Sequence, residues 1–155
     1  MSKSGLAILA FFVIGGGLAV WGKINAPETA PQTQGHSMTP PDTSSIAEGA
    51  PIAEVALPAE WSPEAQIGKR AFDAKCARCH GANAAGQNGV APPLVHQIYE
   101  PGHHSDAAFV YAARNGVQSH HWDFGNMAPV DGLTDADVKY IARYVRELQR
   151  ENGIR

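Results

Sequence analysis

Three stretches of the chain differ in how their apolar residues are spaced. From Leu6 to Trp21 (LAILAFFVIGGGLAVW) no residue is charged. From Gly22 to Trp61 large apolar residues are sparse, and Pro27, Pro31, Pro40, Pro41, Pro51 and Pro58 break any period. A helical period emerges after Ser62. Ile67, Ala71, Phe72 and Cys76 fall on one face of a first helix, which Ser62-Pro63-Glu64 opens with an N-cap serine, a proline at the first position and an acid at the positive dipole end. Ser105-Asp106 caps a second helix, Ala107 to Asn115, which Gly116 closes. Thr134 and Asp137 form a near capping box for a third helix that runs to about Glu151 and ends at Asn152-Gly153. Its apolar stripe is Val138, Ile141, Tyr144, Val145 and Leu148. Residues 82–93 and 117–133 are rich in glycine, proline and small residues and read as loops. No segment alternates convincingly as a strand does. The pattern predicts an N-terminal apolar segment at 1–21, a disordered Pro/Ala-rich linker at 22–61 and an all-α domain at 62–155.

The apolar run predicts a membrane segment. As a helix, its 16 to 18 residues reach roughly 24–27 Å. That is slightly short of a bilayer core of ~30 Å, yet the run is longer than the usual ~7–15-residue core of a signal peptide. Trp21 and Lys23 suit an interfacial anchor at its far end. The reading is an uncleaved single-pass anchor, with a signal cleaved after Ala19 as the alternative. In both cases the remainder is exported.

Charge adds exclusions. The linker carries Lys23 against Glu28, Asp42, Glu48, Glu54 and Glu60, a net −4, and has too few large apolar residues to fold alone. The domain from Ser62 to Arg155 balances ten Lys/Arg against ten Asp/Glu. That balance disfavours a nucleic-acid binder, and a single apolar run disfavours a multi-span transporter. Lys69, Arg70, Lys75 and Arg78 cluster on the first helix as a weak docking patch or a solvated face. At 94 residues the domain has a thin core and calls for a staple.

The staple lies in Cys76-Ala77-Arg78-Cys79-His80, which holds both cysteines of the chain. The spacing C-x-x-C-H is the attachment signature of a c-type haem. Two thiols one helical turn apart reach the two vinyl groups of one porphyrin edge as thioethers, and the next histidine faces the iron. The alternatives are a redox-active thiol pair, against which the adjacent His80 counts, and a zinc site, which lacks further cysteines.

Around this motif the chain resembles the small His/Met class I cytochromes c over roughly residues 62–152. Gly68, Lys69, Phe72 and Lys75 before Cys76 look like that family's first helix, and Ala91-Pro92-Pro93-Leu94 resembles its Gly-Pro-x-Leu with alanine in place of glycine. The resemblance implies a fold of three to five helices around one covalent haem c. It implies that the Pro92 carbonyl orients His80, that Leu94 packs on the porphyrin, and that Tyr144 and Ile141 meet Gly68 and Phe72 where Gly68 permits close approach. It also implies that Met127, in Gly125-Asn126-Met127-Ala128-Pro129, is the sixth iron ligand, although Ala128 separates the family's adjacent Met and Pro. Trp122 either donates its indole N–H to a haem propionate or fills the core.

His96, His103, His104, His120 and His121 are many for that family. They read as hydrogen-bonded surface groups, as a source of bis-His ligation through His120 or His121, or as a second copper or zinc site. The functional expectation is a non-enzymatic single-electron carrier. It is held at the cell membrane with its haem domain in the periplasm. It trades electrons with membrane redox complexes or a periplasmic dehydrogenase. The competing readings are a haem-based sensor or peroxidase with a labile sixth ligand, and a dedicated cytochrome subunit of an oxidase or reductase.

Overall fold

The computed structural model describes residues 37–155; the predicted apolar segment and the first part of the linker lie outside them. Four α-helices follow in order: α1 (Pro63–Lys75), α2 (Ala77–His80), α3 (Asp106–Asn115) and α4 (Asp135–Glu151). Single 3-10 turns occupy Ala82–Ala84 and Gln97–Tyr99. Among the described residues there is no strand, only isolated bridges pairing Gln87 with Ala91 and Val117 with Met127. No helix among them is long and apolar enough to cross a membrane.

Local chemistry sets the helix ends. The Ser62 hydroxyl accepts from the Ala65 N–H at 3.1 Å, and the same residue is tied to α4 by donating its hydroxyl to Glu147 at 2.7 Å. Thr134 and Asp137 complete a reciprocal capping box at the start of α4. Ser105 holds the N-cap position of α3, but its side chain makes no capping bond. The carboxylate of Asp106 instead meets Arg146 from α4 at 2.7 Å. Gly116 ends α3 at φ 76°, a backbone that glycine adopts without strain.

Helices α1 and α4 pack closely. Ala65, Gly68 and Phe72 are buried on α1. They face the predicted stripe of α4, in which Val138, Ile141, Tyr144, Val145 and Leu148 are all buried. A Cβ placed on Gly68 would sit 1.8 Å from the Tyr140 carbonyl oxygen, so the absent side chain is what lets the helices meet. Tyr144 is fully buried, its ring centroid 5.4 Å from Phe72 and 5.2 Å from Trp61. Ile67, expected on the buried face, is 40% exposed. The face that α4 covers runs along Ala65–Gly68–Phe72, and Ile67 lies about 100° round the helix from Gly68.

The last part of the expected linker lies on the domain. Ile52 and Ala53 donate backbone N–H groups to the Ala85 carbonyl at 3.1 and 2.9 Å. Asn88 donates to the Thr43 and Ile46 carbonyls, and Asn152 exchanges two hydrogen bonds with the Ala56 backbone. Val55 and Trp61 pack on the core. Low hydrophobicity argued for disorder at 22–61, but backbone groups of Ala85 and Asn88 and the side chains of Asn88 and Asn152 pair with the backbone of residues 43–56. Among the described residues the fold therefore begins before Ser62.

Two polar residues that periodicity did not mark hold the loops to α4. Gln149 is fully buried and donates to the carbonyls of Leu94 and Tyr99 at 2.8 and 2.9 Å. Arg146, 5% exposed, donates to Asp106, to the Tyr99 carbonyl, to Gln149 and to the His104 carbonyl. Its guanidinium also lies 5.1 Å from the centroid of Phe109. The Leu94, Tyr99 and His104 carbonyls thus have partners, and the stretch from 94 to 104, with one 3-10 turn at Gln97–Tyr99, is pinned to α4.

Candidate functional site

Helix α1 delivers Cys76 at its C-cap, and the short turn of α2 carries Cys79 and His80. Neither cysteine is in a disulfide, and both are half-buried. Cys79 and His80 donate their N–H groups to the Cys76 carbonyl at 3.0 and 2.9 Å, which sets the one-turn spacing between the thiols. The side chain of Gln87 returns under this turn and donates to the carbonyls of Ala77, Arg78 and Cys79 at 3.3, 2.9 and 3.0 Å. It gives the Arg78 and Cys79 carbonyls a donor that a four-residue helix does not supply, and adds a second donor to the Ala77 carbonyl, which already accepts from Gly81. No spacing rule singles Gln87 out, since its role depends on the chain folding back.

Tight backbone contacts fix the reversal. A Cβ on Gly81 would lie 2.5 Å from the Gly86 carbonyl oxygen, and one on Gly86 would lie 2.5 Å from the Pro93 nitrogen. Asn83 and Ala84 between them adopt the left-handed region, at φ 54° and 58°. Non-glycine residues take that region at a cost of roughly 1–2 kcal/mol each. The reversal brings the Pro92 carbonyl oxygen to 3.0 Å from His80 Nδ1. In the neutral tautomer that donates to Pro92, the lone pair of His80 is on Nε2. Burial lowers the His80 pKa, with the Pro92 bond opposing it, so the neutral ligand form is favoured.

The cysteines do not have the character of a thiol-redox pair. Burial, with Cys79 adding to it, pushes the Cys76 thiol up to about 11. Reactive C-x-x-C motifs lower the pKa of the attacking thiol instead. An apolar setting that disfavours the thiolate suits a sulfur held as a thioether.

The other expected site residues lie on neighbouring segments. Leu94 is half-buried and packs on the core; its N–H donates to the Ala84 carbonyl at 2.9 Å. Met127 is half-buried, with its N–H and carbonyl both paired to Val117 at 2.9 Å. Gly116 makes room for that bridge, since a Cβ there would lie 2.5 Å from the Met127 carbonyl oxygen. Trp122 is 6% exposed, stacked on Phe124 and edge-on to His96. Its indole N–H makes no well-formed hydrogen bond and is only weakly engaged by the Tyr99 phenol. It approaches Tyr99, whose phenol burial pushes well above its ordinary range despite the indole's opposing influence. A buried donor without a well-placed acceptor is costly. Such a donor fits a carboxylate-bearing group that the polypeptide alone does not supply.

The poorly satisfied indole donor, the paired unbridged cysteines and the oriented histidine therefore all suit one prosthetic group. A family model described as Cytochrome c matches residues 65–149. The chain belongs to the cytochrome c family. Comparison with curated proteins gave no match, and comparison with solved structures gave none. Within this cytochrome, Cys76 and Cys79 are the residues that carry a covalently bound haem c, in the C-x-x-C-H motif completed by His80. The all-helical fold around the motif is the one that the family implies. The basic residues of α1 are partly engaged: Lys69 pairs with Asp73 at 2.6 Å, and Lys75 donates to the Asp131 carbonyl at 3.1 Å.

Proposed function

We propose that this cytochrome is a single-electron carrier of an exported, membrane-tethered electron-transfer chain, with iron held between His80 and Met127. Its family supports an electron-transfer haem protein. The observation that carries the finer reading is the His80–Pro92 bond, which orients one imidazole beside two half-buried thiols. Bound haem c supplies a one-electron couple, and His/Met ligation raises its potential. Pro92 keeps His80 in one tautomer and orientation. The Val117–Met127 bridge holds the methionine backbone in place, so its side chain can serve without a large ordering cost on each change of oxidation state. Two strong ligands leave no open position for a substrate, which favours a carrier over a sensor or peroxidase.

In this reading Leu6 to Trp21 anchors the chain in the cell membrane and the domain faces the periplasm. The donors and acceptors are membrane redox complexes or a periplasmic dehydrogenase. The test is the visible spectrum of the oxidised haem-loaded protein. A low-spin spectrum with the far-red sulfur-to-iron band, lost in Met127→Ala, is expected. A high-spin resting spectrum, or one that Met127→Ala leaves unchanged, overturns the ligation and with it the carrier reading.

A further inference from the structure

We propose that His103, His104 and His121 form a binding site for a divalent first-row transition ion of the zinc and copper class, made of residues that haem attachment does not use. One nitrogen from each lies within 4.8 Å of the other two. The cluster is assembled by the fold: His103 and His104 precede α3, whereas His121 comes from the loop after it. The adjacent rings of His103 and His104 are centred 4.7 Å apart, and His121, from a separate segment, brings the third imidazole to them.

Two details favour a cation over a packed surface. His104 Nδ1 lies 2.7 Å from the Ile98 carbonyl oxygen. A ring that donates there has its lone pair on Nε2, and a second ring nitrogen held by a carbonyl is the usual support of a metal-bound histidine. His103 Nε2 and His121 Nε2 face each other at 3.4 Å. Two such nitrogens attract only if a proton or a cation lies between them. At zinc–imidazole distances of about 2.05 Å, nitrogens 3.4 Å apart subtend about 112° at the ion, close to the tetrahedral angle. The His104 nitrogen, within 4.8 Å of the other two, and that pair then close on each other by up to about 1.4 Å. Exposed His103 can supply that movement, and an ion reaches the site without unfolding.

The donor set selects the metal class. Imidazoles suit zinc, copper and nickel, whereas calcium and magnesium take oxygen ligands. Three protein ligands leave a fourth position for water or for His120. The ring of His120 is centred 4.4 Å from that of His121, and its Nδ1 is 2.9 Å from the Gln118 carbonyl oxygen. A bound ion would tie the segment ahead of α3 to the loop that carries Trp122 and Met127.

The experiment uses the full haem-loaded chain, stripped with a chelator, desalted and titrated calorimetrically with Zn²⁺. Expected is one ion per chain with a dissociation constant on the order of 1 μM or below. His103→Ala and His121→Ala should each weaken binding about tenfold or more. These two positions are chosen because His104 also braces Ile98. An unchanged haem spectrum in each variant shows that the fold and the iron ligands are intact. Cu²⁺ should compete for the same position and show nitrogen hyperfine structure in its electron paramagnetic resonance spectrum. Absence of saturable Zn²⁺ binding overturns the proposal. So does binding that survives in the His103→Ala/His121→Ala double variant, because the ion then sits elsewhere.

Discussion

Helices α1 and α4 and the loop from Gly116 to Pro129 represent two ways of holding a chain in place. Along the helix pair Ala65, Gly68 and Phe72 on one side and Ile141, Tyr144, Val145 and Leu148 on the other are all buried. In the loop only Gly116 and Trp122 are buried. The loop keeps its shape through a backbone bridge between Val117 and Met127, a bond from the Ser119 N–H to Asn126, and ring contacts among histidines. Burying a side chain such as Phe or Leu contributes roughly 1.5–3 kcal/mol. A net hydrogen bond contributes about 1 kcal/mol. The helix pair therefore carries the stability, and the loops carry the groups that meet ligands, where lower local stability is tolerated. Both haem cysteines follow directly on the packed helix, Cys76 at the C-cap of α1 and Cys79 within the short α2.

Breaking the helix pair should produce the largest effect. Gly68→Ala places a methyl inside the Tyr140 backbone and should cost on the order of 3 kcal/mol in denaturant unfolding of the haem-loaded protein. A loss under ~0.5 kcal/mol would show that the two helices separate easily, against the division drawn above.

Arg146 joins α4 to another loop, the stretch that leads into α3, through Tyr99, His104 and Asp106. Arg146→Met keeps the stem and removes the guanidinium, leaving the Tyr99 and His104 carbonyls without that donor. A loss of about 2 kcal/mol is expected. Hydrogen exchange should quicken at residues 96–104 more than in α1. A uniform increase throughout the domain would mean that the loops have no stability separate from the helices.

The smallest effect concerns the start of α4. Thr134, through its side chain first and its backbone N–H second, holds the Asp137 carboxyl below its ordinary 3.8. A depressed pKa gives stability that is present above the ordinary value and lost as pH falls through the folded one. Asp137→Asn should therefore flatten the acid limb of the stability curve below about pH 4, with little change in the helix pair near neutrality. An unaltered acid limb would remove the capping box from the acid response.

How much of this was legible follows from the range of each interaction. The haem motif needs five consecutive residues, so Cys76, Cys79 and His80 could be read directly. The stripe on α4 repeats within one helix, and its burial followed from period alone. The capping box spans four residues and was also readable. Ile67 was misplaced because a period gives a face about 100° wide but not which part of it a partner covers. Residues 43–56 were read as free chain because their partners, Ala85, Asn88 and Asn152, lie far along the sequence. Arg146 and Gln149 were missed for a related reason. They sit among the polar residues of an amphipathic helix, and their partners are the carbonyls that the 94–104 stretch presents to them.

By itself the sequence determined the covalent attachment motif and the all-helical class, since each is encoded in short spacings or in one helical period, whereas the contact between the first and last helices was implied by the family resemblance. Only the tertiary structure decided that Gln87 braces the haem turn, that the indole of Trp122 lacks a well-formed protein hydrogen bond, and that three histidines from two segments converge. The physical reason is the same in each case. A buried polar group takes its meaning from the partner it meets, and folding alone supplies that partner.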